Sequence, residues 1–226
     1  TDNLIEILLM RKIAVILAGC GRMDGSEIHE SVLTLLSIQQ AGAKYQCFSL
    51  DLEQYHVINH LTNQNVTESR NMLIESARIA RGDVINLANI DVNEFDGLII
   101  PGGNGIAANL FSLLQDSENY TVNELVAQTA RQFTQANKPV GFICIAPVMI
   151  PAIYDFPVNM TIGNDKATAD LVEQRGAIHH SCNTTEVYVD EEHKIVTTPA
   201  YMMANSIVEA YSGINKLCFA LIQLME

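Results

Sequence analysis

The chain has 226 residues, with 13 Lys and Arg against 26 Asp and Glu, a formal net charge of −13. Apolar residues at 48% and charged residues at 17% exclude a disordered chain, and 13 Gly with 6 Pro exclude collagen-like or low-complexity sequence. The acidic balance, with no basic patch, argues against nucleic acid as a partner, and the longest apolar runs fall far short of the ~20 residues that span a bilayer.

The apolar opening Thr1 to Met10 lacks a basic start and is interrupted by Glu6, so it does not read as a secretory signal. Met10-Arg11-Lys12 reads as a natural start. Residues 1–11 are therefore expected to be an N-terminal extension and 12–226 a single domain, with no repeat or composition break. Five scattered cysteines, with no CxxC pair, fit a reducing compartment, here the cytoplasm, and no zinc-site spacing. No metal and no cofactor is expected.

Lys12 to Leu17 reads as a buried strand ending in a glycine-rich loop, Ala18 to Gly25. Ser26 is placed as the cap of a helix from about Glu27 to Ala41, with Glu30 three positions past its start. Ile28, Val32, Leu35, Leu36 and Gln39 mark its spacing and Gly42 its end. Tyr45 to Leu50 reads as a strand, 51–66 as irregular, and Ser69 to Arg81 as a helix. Asp96 to Ile100 is a strand broken by Pro101-Gly102-Gly103-Asn104-Gly105, followed by a helix to about Leu114 and another over Val122 to Ala136. Lys138 to Cys144 is a buried strand, and Ile145-Ala-Pro-Val-Met-Ile begins a helix at once. Thr168 to Arg175 is helical, Val187–Asp190 and Lys194–Thr198 form a hairpin, and a last helix runs from about Met203 to Leu224. Alternating strands and helices, with continuous apolar strands, point to an α/β sandwich with a mostly parallel sheet.

In such sheets ligands bind beyond the carboxyl ends of the strands. Cys144 stands there, on an abrupt strand-to-helix junction that matches a nucleophile elbow; the alternative is a small buried apolar residue. By the same geometry it is expected to be the most acidic of the five thiols. Cys47 and Cys218 read as core, Cys20 and Cys182 as loop residues, with Cys20 beside the cleft. Pro101-Gly102-Gly103 offers amides for an oxyanion or is a plain turn. Glu27 and Glu30 either favour the helix dipole or place a carboxylate against Cys144. The Gly19 to Gly25 loop matches neither GxGxxG nor GxxxxGK[ST]. His29 lies near the cleft in sequence, and His179-His180 could approach it. His56 and His60 fall in the irregular segment, and His193 in the hairpin turn.

Together the segments Ile13 to Glu30, Val57 to Thr62, Thr67 to Glu75, Ile100 to Gly103, Gly141 to Pro147 and Ile195 to Met202 resemble the PfpI-type superfamily. That group, within the class I glutamine amidotransferase-like proteins, includes intracellular proteases, cofactor-free glyoxalases and the parkinsonism-associated deglycase. The resemblance is strongest to its ElbB-type branch, bacterial glyoxalase-like proteins linked to isoprenoid biosynthesis. It implies a flavodoxin-like three-layer α/β/α sandwich and a homodimer. It implies Cys144 as nucleophile and a first-helix glutamate on its thiol. Counting twelve residues back from Gly42 selects Glu30 over Glu27. Such a glutamate needs a raised pKa in a partly dry pocket. The Gly103 and Ile145 amides would be the oxyanion donors, and Cys20, Glu27, Asn104 and Asp165 the remaining pocket.

This sequence departs from the group where other members carry a histidine. Ile145 directly follows the cysteine, Asn164-Asp165 lie about twenty residues on, and Pro199-Ala-Tyr201 replaces a late His-Pro-Glu. Peptidase and glutaminase activity are therefore not expected. The expected activity is that of a slow glyoxalase of the hydro-lyase type, taking a small α-oxoaldehyde such as glyoxal to glycolate through a Cys144 hemithioacetal. The alternatives are a non-enzymatic thiol redox or carbonyl-stress sensor and a scaffold role in isoprenoid biosynthesis.

Overall fold

A computed structural model describes residues 10–225; the expectations for residues 1–9 lie outside them. Strands β1 (Lys12–Leu17), β2 (Lys44–Ser49), β3 (Ile58–Asn59), β4 (Gln64–Asn65), β5 (Val84–Asn86) and β6 (Gly97–Ile100) occupy the first half. Strands β7 (Val140–Ile143), β8 (Asn159–Met160), β9 (Ile178–His179), β10 (Tyr188–Asp190) and β11 (Ile195–Thr198) follow. The helices are α1 (Ile28–Gln40), α2 (Met72–Ile79), α3 (Ile106–Asn109), α4 (Glu124–Gln135), α5 (Ile150–Ile153), α6 (Lys166–Gln174) and α7 (Ile207–Gln223).

The main sheet has seven strands in the order β10-β11-β7-β6-β1-β2-β5, parallel except for β10 against β11. The packing of β1 explains why its sequence is apolar from Ile13 onward. Ala14 and Ile16 enter one core, which takes Val126, Ala130 and Phe133 of α4. Ile13, Val15 and Leu17 enter the other, with Leu35 and Ile38 of α1 and Ile214, Leu217 and Leu221 of α7. A strand covered on both faces has no polar side to show. The result is the flavodoxin-like α/β sandwich. After β5 the chain returns across β1 to lay down β6, so the strand order reverses between β1 and β6. The crevice at that reversal is where open α/β sheets bind ligands.

Several elements differ from expectation. Ser26 does not cap α1; its buried hydroxyl accepts the Ala18 N–H at 2.9 Å. Glu27 is the cap, with its Oε2 accepting the Glu30 N–H at 2.7 Å. The helix after Gly105 is one turn, because the Asn109 amide is drawn to Ala18 O and Asp24 O at 3.1 and 3.0 Å, and Phe111 then pairs with Val122. Residues 51–66 include the small β3-β4 hairpin. It braces the glycine-rich loop: Ile58 N–H reaches Asp24 Oδ2 at 2.8 Å, and Met23 N–H reaches His60 Nε2 at 3.2 Å.

The face of α1 is also turned from the expected one. Leu35 and Ile38 are buried, but so are Glu30, Ser31, Thr34 and Ser37. Ile28, Val32 and Leu36 form an exposed stripe. The inward hydroxyls of Ser31 and Thr34 donate to the helix's own carbonyls, Glu27 O and Glu30 O, both at 2.7 Å. Such short, internally satisfied side chains leave room for a buried acid.

Candidate active site

Three strand-end turns and the first turn of α1 meet over the crevice. Cys144 follows β7 directly and sits at φ +63°, a left-handed conformation that costs a non-glycine residue roughly 1–2 kcal/mol. Its N–H donates to Thr198 O at 2.9 Å, tying the elbow to β11. The next residues form a 3-10 turn, Ala146–Met149, that runs into α5.

Pro101-Gly102-Gly103 must be what it is. A Cβ on Gly102 would lie 2.7 Å from Glu30 Oε2 and 2.8 Å from Ile143 O. Gly103 adopts φ +116°, and a Cβ there would lie 2.6 Å from Glu27 N. No side chain fits either position.

Glu30 is fully buried. Its Oε2 accepts the Gly102 N–H at 3.0 Å, its Oε1 accepts the Tyr201 N–H at 3.1 Å, and its carboxyl hydrogen-bonds the Cys144 thiol. Among the described residues it has no cationic partner. Burial therefore dominates and pushes its pKa up to about 8, with the nearby Glu27 adding to the effect; the three hydrogen bonds pull the other way.

Cys144 is only 7% exposed. Burial first, then the charge and hydrogen bond of Glu30, push its thiol well above the ordinary value. The amides of Gly103 and Ile145 oppose this by hydrogen-bonding the sulfur. The expected acidic thiol is thus corrected: no free cysteine here has a lowered pKa. Burial raises Cys20 and Cys182, takes Cys47 up to about 12, and raises Cys218 as well. The Glu30 carboxyl and the Cys144 thiol hydrogen-bond directly, so the two groups titrate as a coupled pair.

Cys144, Glu27, Gly103 and Asn104 line a cleft of about 370 Å³. Two proposed lining residues do not reach it. Cys20 faces α2, among Arg78, Glu75 and Asp24, because the Gly19 N–H is pinned to Ser76 Oγ at 2.9 Å. Asp165 is exposed and caps α6, accepting from Thr168 N and Oγ1 at 2.9 and 2.6 Å. His180 is also away from the cleft, stacked on Tyr188 and bonded to Asn159 Oδ1 at 2.8 Å.

The cleft gains residues that sequence reasoning missed: Arg22, Tyr201 and Met202, while His29, noted only as a neighbour in sequence, is on its wall. Tyr201 follows β11, a parallel strand of the main sheet. The strand-end rule would have found it, had Ile195–Thr198 been read as parallel to β7 instead of only as half of a hairpin.

A parallel α/β sandwich with a left-handed cysteine at a central strand end belongs to the class I glutamine amidotransferase-like architecture. Residues 11–208 match the DJ-1/PfpI family, and the chain belongs to that family. It is 38% identical over 223 residues to the human glutamine amidotransferase-like class 1 domain-containing protein 3, mitochondrial, covering 94% of this chain and 83% of that protein. The rat mitochondrial ES1 protein homolog is 37% identical, with 94% and 84% covered. Among solved structures, an isoprenoid biosynthesis protein with amidotransferase-like domain from Ehrlichia chaffeensis superposes with a TM-score of 0.90 at 37% identity, over 96% of this chain and 100% of that one. Glyoxalase III from Candida albicans superposes at 0.62 with 14% identity, over 96% and 98%, and shares the fold. No helix among the described residues is long and apolar enough to cross a membrane.

Proposed function

We propose that this protein is a cofactor-free glyoxalase of the ElbB-type branch, converting glyoxal to glycolate on Cys144. The observation that carries this reading is the buried Glu30–Cys144 pair beneath the Gly103 and Ile145 amides. A carboxyl with a pKa near 8 is poised to exchange protons at neutral pH. The sulfur adds to one aldehyde carbon, and Glu30 takes the thiol proton. The hemithioacetal oxygen is held by the two amides. Glu30 passes the thiol proton to the hemithioacetal oxygen and then takes the proton on that carbon, whose electron pair forms an enediol; the two protons end on the neighbouring carbon and its oxygen. The first carbon is oxidised to a thioester and the second reduced to an alcohol, so no outside oxidant is needed. Water releases glycolate.

Branch membership is supported by the likeness to the Ehrlichia protein, whose name carries isoprenoid biosynthesis. The five free cysteines support a reducing compartment such as the cytoplasm. A slow rate is supported by Ile145, which stands where other members carry histidine.

Ile145, which stands directly after Cys144 where other members carry a histidine, favours a second reading, a carbonyl or redox sensor that reacts once. Glyoxal turnover measured per Cys144 separates the two. Many glycolates per site, and none from Cys144→Ala, support the enzyme. One equivalent consumed, with a stable adduct, supports the sensor.

A further inference from the structure

We propose that His29, oriented by Tyr201, is the base that activates water for thioester hydrolysis; this rests on the glyoxalase reading above. Glu30 is poorly placed for that step. Both its oxygens accept backbone N–H groups, and the carboxyl lies buried against the sulfur. Once the acyl group sits on Cys144, water can arrive only from the cleft. Deacylation therefore needs a proton acceptor on the cleft wall.

His29 supplies one. It is exposed and lines the same cleft as Cys144. Its Nδ1 lies 2.8 Å from the Tyr201 hydroxyl, and its Nε2 has no protein partner among the described residues. In the tautomer that carries the proton on Nδ1, that hydrogen is donated to Tyr201 Oη and Nε2 presents a bare lone pair. Tyr201 is a junction: its N–H holds Glu30 while its side chain holds His29. Glu27 also lines the cleft, but its Oε2 is engaged by the Glu30 N–H. This arrangement puts a histidine on the first helix, opposite in the chain to the positions where related members carry theirs.

The step balances without another reactant. His29 Nε2 takes one proton from water as the oxygen adds to the thioester carbon. The carbon–sulfur bond breaks, and the leaving sulfur recovers, through the Glu30 carboxyl that it touches, the second proton of that water, which the new carboxyl group sheds. His29 then gives its proton to bulk water as glycolate departs.

The test uses the whole protein, glyoxal, and mass analysis of acid-quenched Cys144. In His29→Ala, adduct formation should proceed as in the wild type, while glycolate release falls ~100-fold. A species heavier by one glyoxal should accumulate on Cys144. Added imidazole should restore release in His29→Ala and leave Cys144→Ala inactive, a response no structural role would give. Tyr201→Phe should slow release less, with no imidazole rescue. Wild-type release by His29→Ala would overturn the proposal while leaving the glyoxalase reading intact. So would a loss with neither adduct nor rescue. A wild-type protein that makes no glycolate overturns both.

Discussion

Replacing Glu30 with glutamine should change the sign of its effect on stability as pH rises. The carboxyl is pushed up to about 8 in the folded protein from an ordinary 4.5. Between those values the native state keeps a proton that the unfolded chain has shed. Stability contributed by this proton is complete below about 4.5 and is lost as pH rises through about 8. The whole difference corresponds to roughly 5 kcal/mol. Glutamine does not titrate, but it has one acceptor too few. Both Glu30 oxygens receive N–H groups, so the amide nitrogen must face either Gly102 or Tyr201. That clash costs about 1–3 kcal/mol at every pH. Glu30→Gln should therefore be less stable than wild type near pH 4.5 and more stable, by about 2–4 kcal/mol, near pH 9. Urea denaturation of both proteins at the two pH values measures this. A difference that does not move with pH would mean that Glu30 ionises as an ordinary surface acid, and the reasoning about the pair would fail. Glyoxal turnover should drop ~100-fold in the same variant, and far less in Glu27→Gln.

Cys144 in Glu30→Gln should alkylate faster at pH 8 than in wild type, because the substitution removes the charge and hydrogen bond that hold the thiol up; peptide mass analysis reads this, with buried Cys47 and Cys218 as unreactive internal controls. Gly102→Ala should cost about 1–3 kcal/mol through its contacts with Glu30 and Ile143, lower the melting temperature by several degrees and abolish turnover, which a thermal melt and the glycolate assay check. We also propose a homodimer, supported by the exposed stripe of Ile28, Val32 and Leu36 on α1. Wild type should sediment at twice the chain mass and Val32→Glu closer to once; a wild-type monomer at micromolar concentration refutes it.

The parts of the fold that were legible are those whose signal is local. Strands β1, β6 and β7 are apolar runs closed by glycine or by an abrupt helix, and burial on both faces leaves them no other composition. Strands β5, β8 and β9 are two or three residues long, too short for any period to register. The elbow was legible because Cys144 follows its strand without a loop. The inward face of α1 was not. Apolar spacing pointed to Leu35, which is buried, but also to Ile28, Val32 and Leu36, which face outward, while a glutamate and three hydroxyls join Leu35 and Ile38 on the inward face. Period alone could not choose between Glu27 and Glu30; only the match to a family pattern did. His29 and Tyr201 meet through tertiary structure, with 171 residues separating Tyr201 from the acid it holds, and no local pattern reports a contact of that range.

Strain and burial in this protein converge on one carboxyl group. Among the described residues, six other than glycine have positive φ. Four of them, Asn63, Arg81, Asn137 and Lys194, lie in exposed or half-buried turns, where such geometry is common. The other two, Cys144 and Ala200, are buried. Cys144 touches Glu30 directly, and Ala200 is followed at once by Tyr201, whose N–H the carboxyl accepts. The third contact comes from Gly102, where no side chain fits. Each of these features costs stability on its own: a left-handed cysteine, a left-handed alanine, a glycine required in place of any other residue, and an acid kept from water with no cation to pair with. A core chosen for stability alone would place leucine at position 30 and relax all three turns. What the arrangement supplies instead is a carboxyl hydrogen-bonded to a thiol, under two amides and open on one side to a cleft. Strained, expensive contacts persist where the surrounding structure over-determines them and chemistry uses them. The convergence of all of them on Glu30 is the physical ground on which we propose Cys144, and none of the other four cysteines, as the reacting residue.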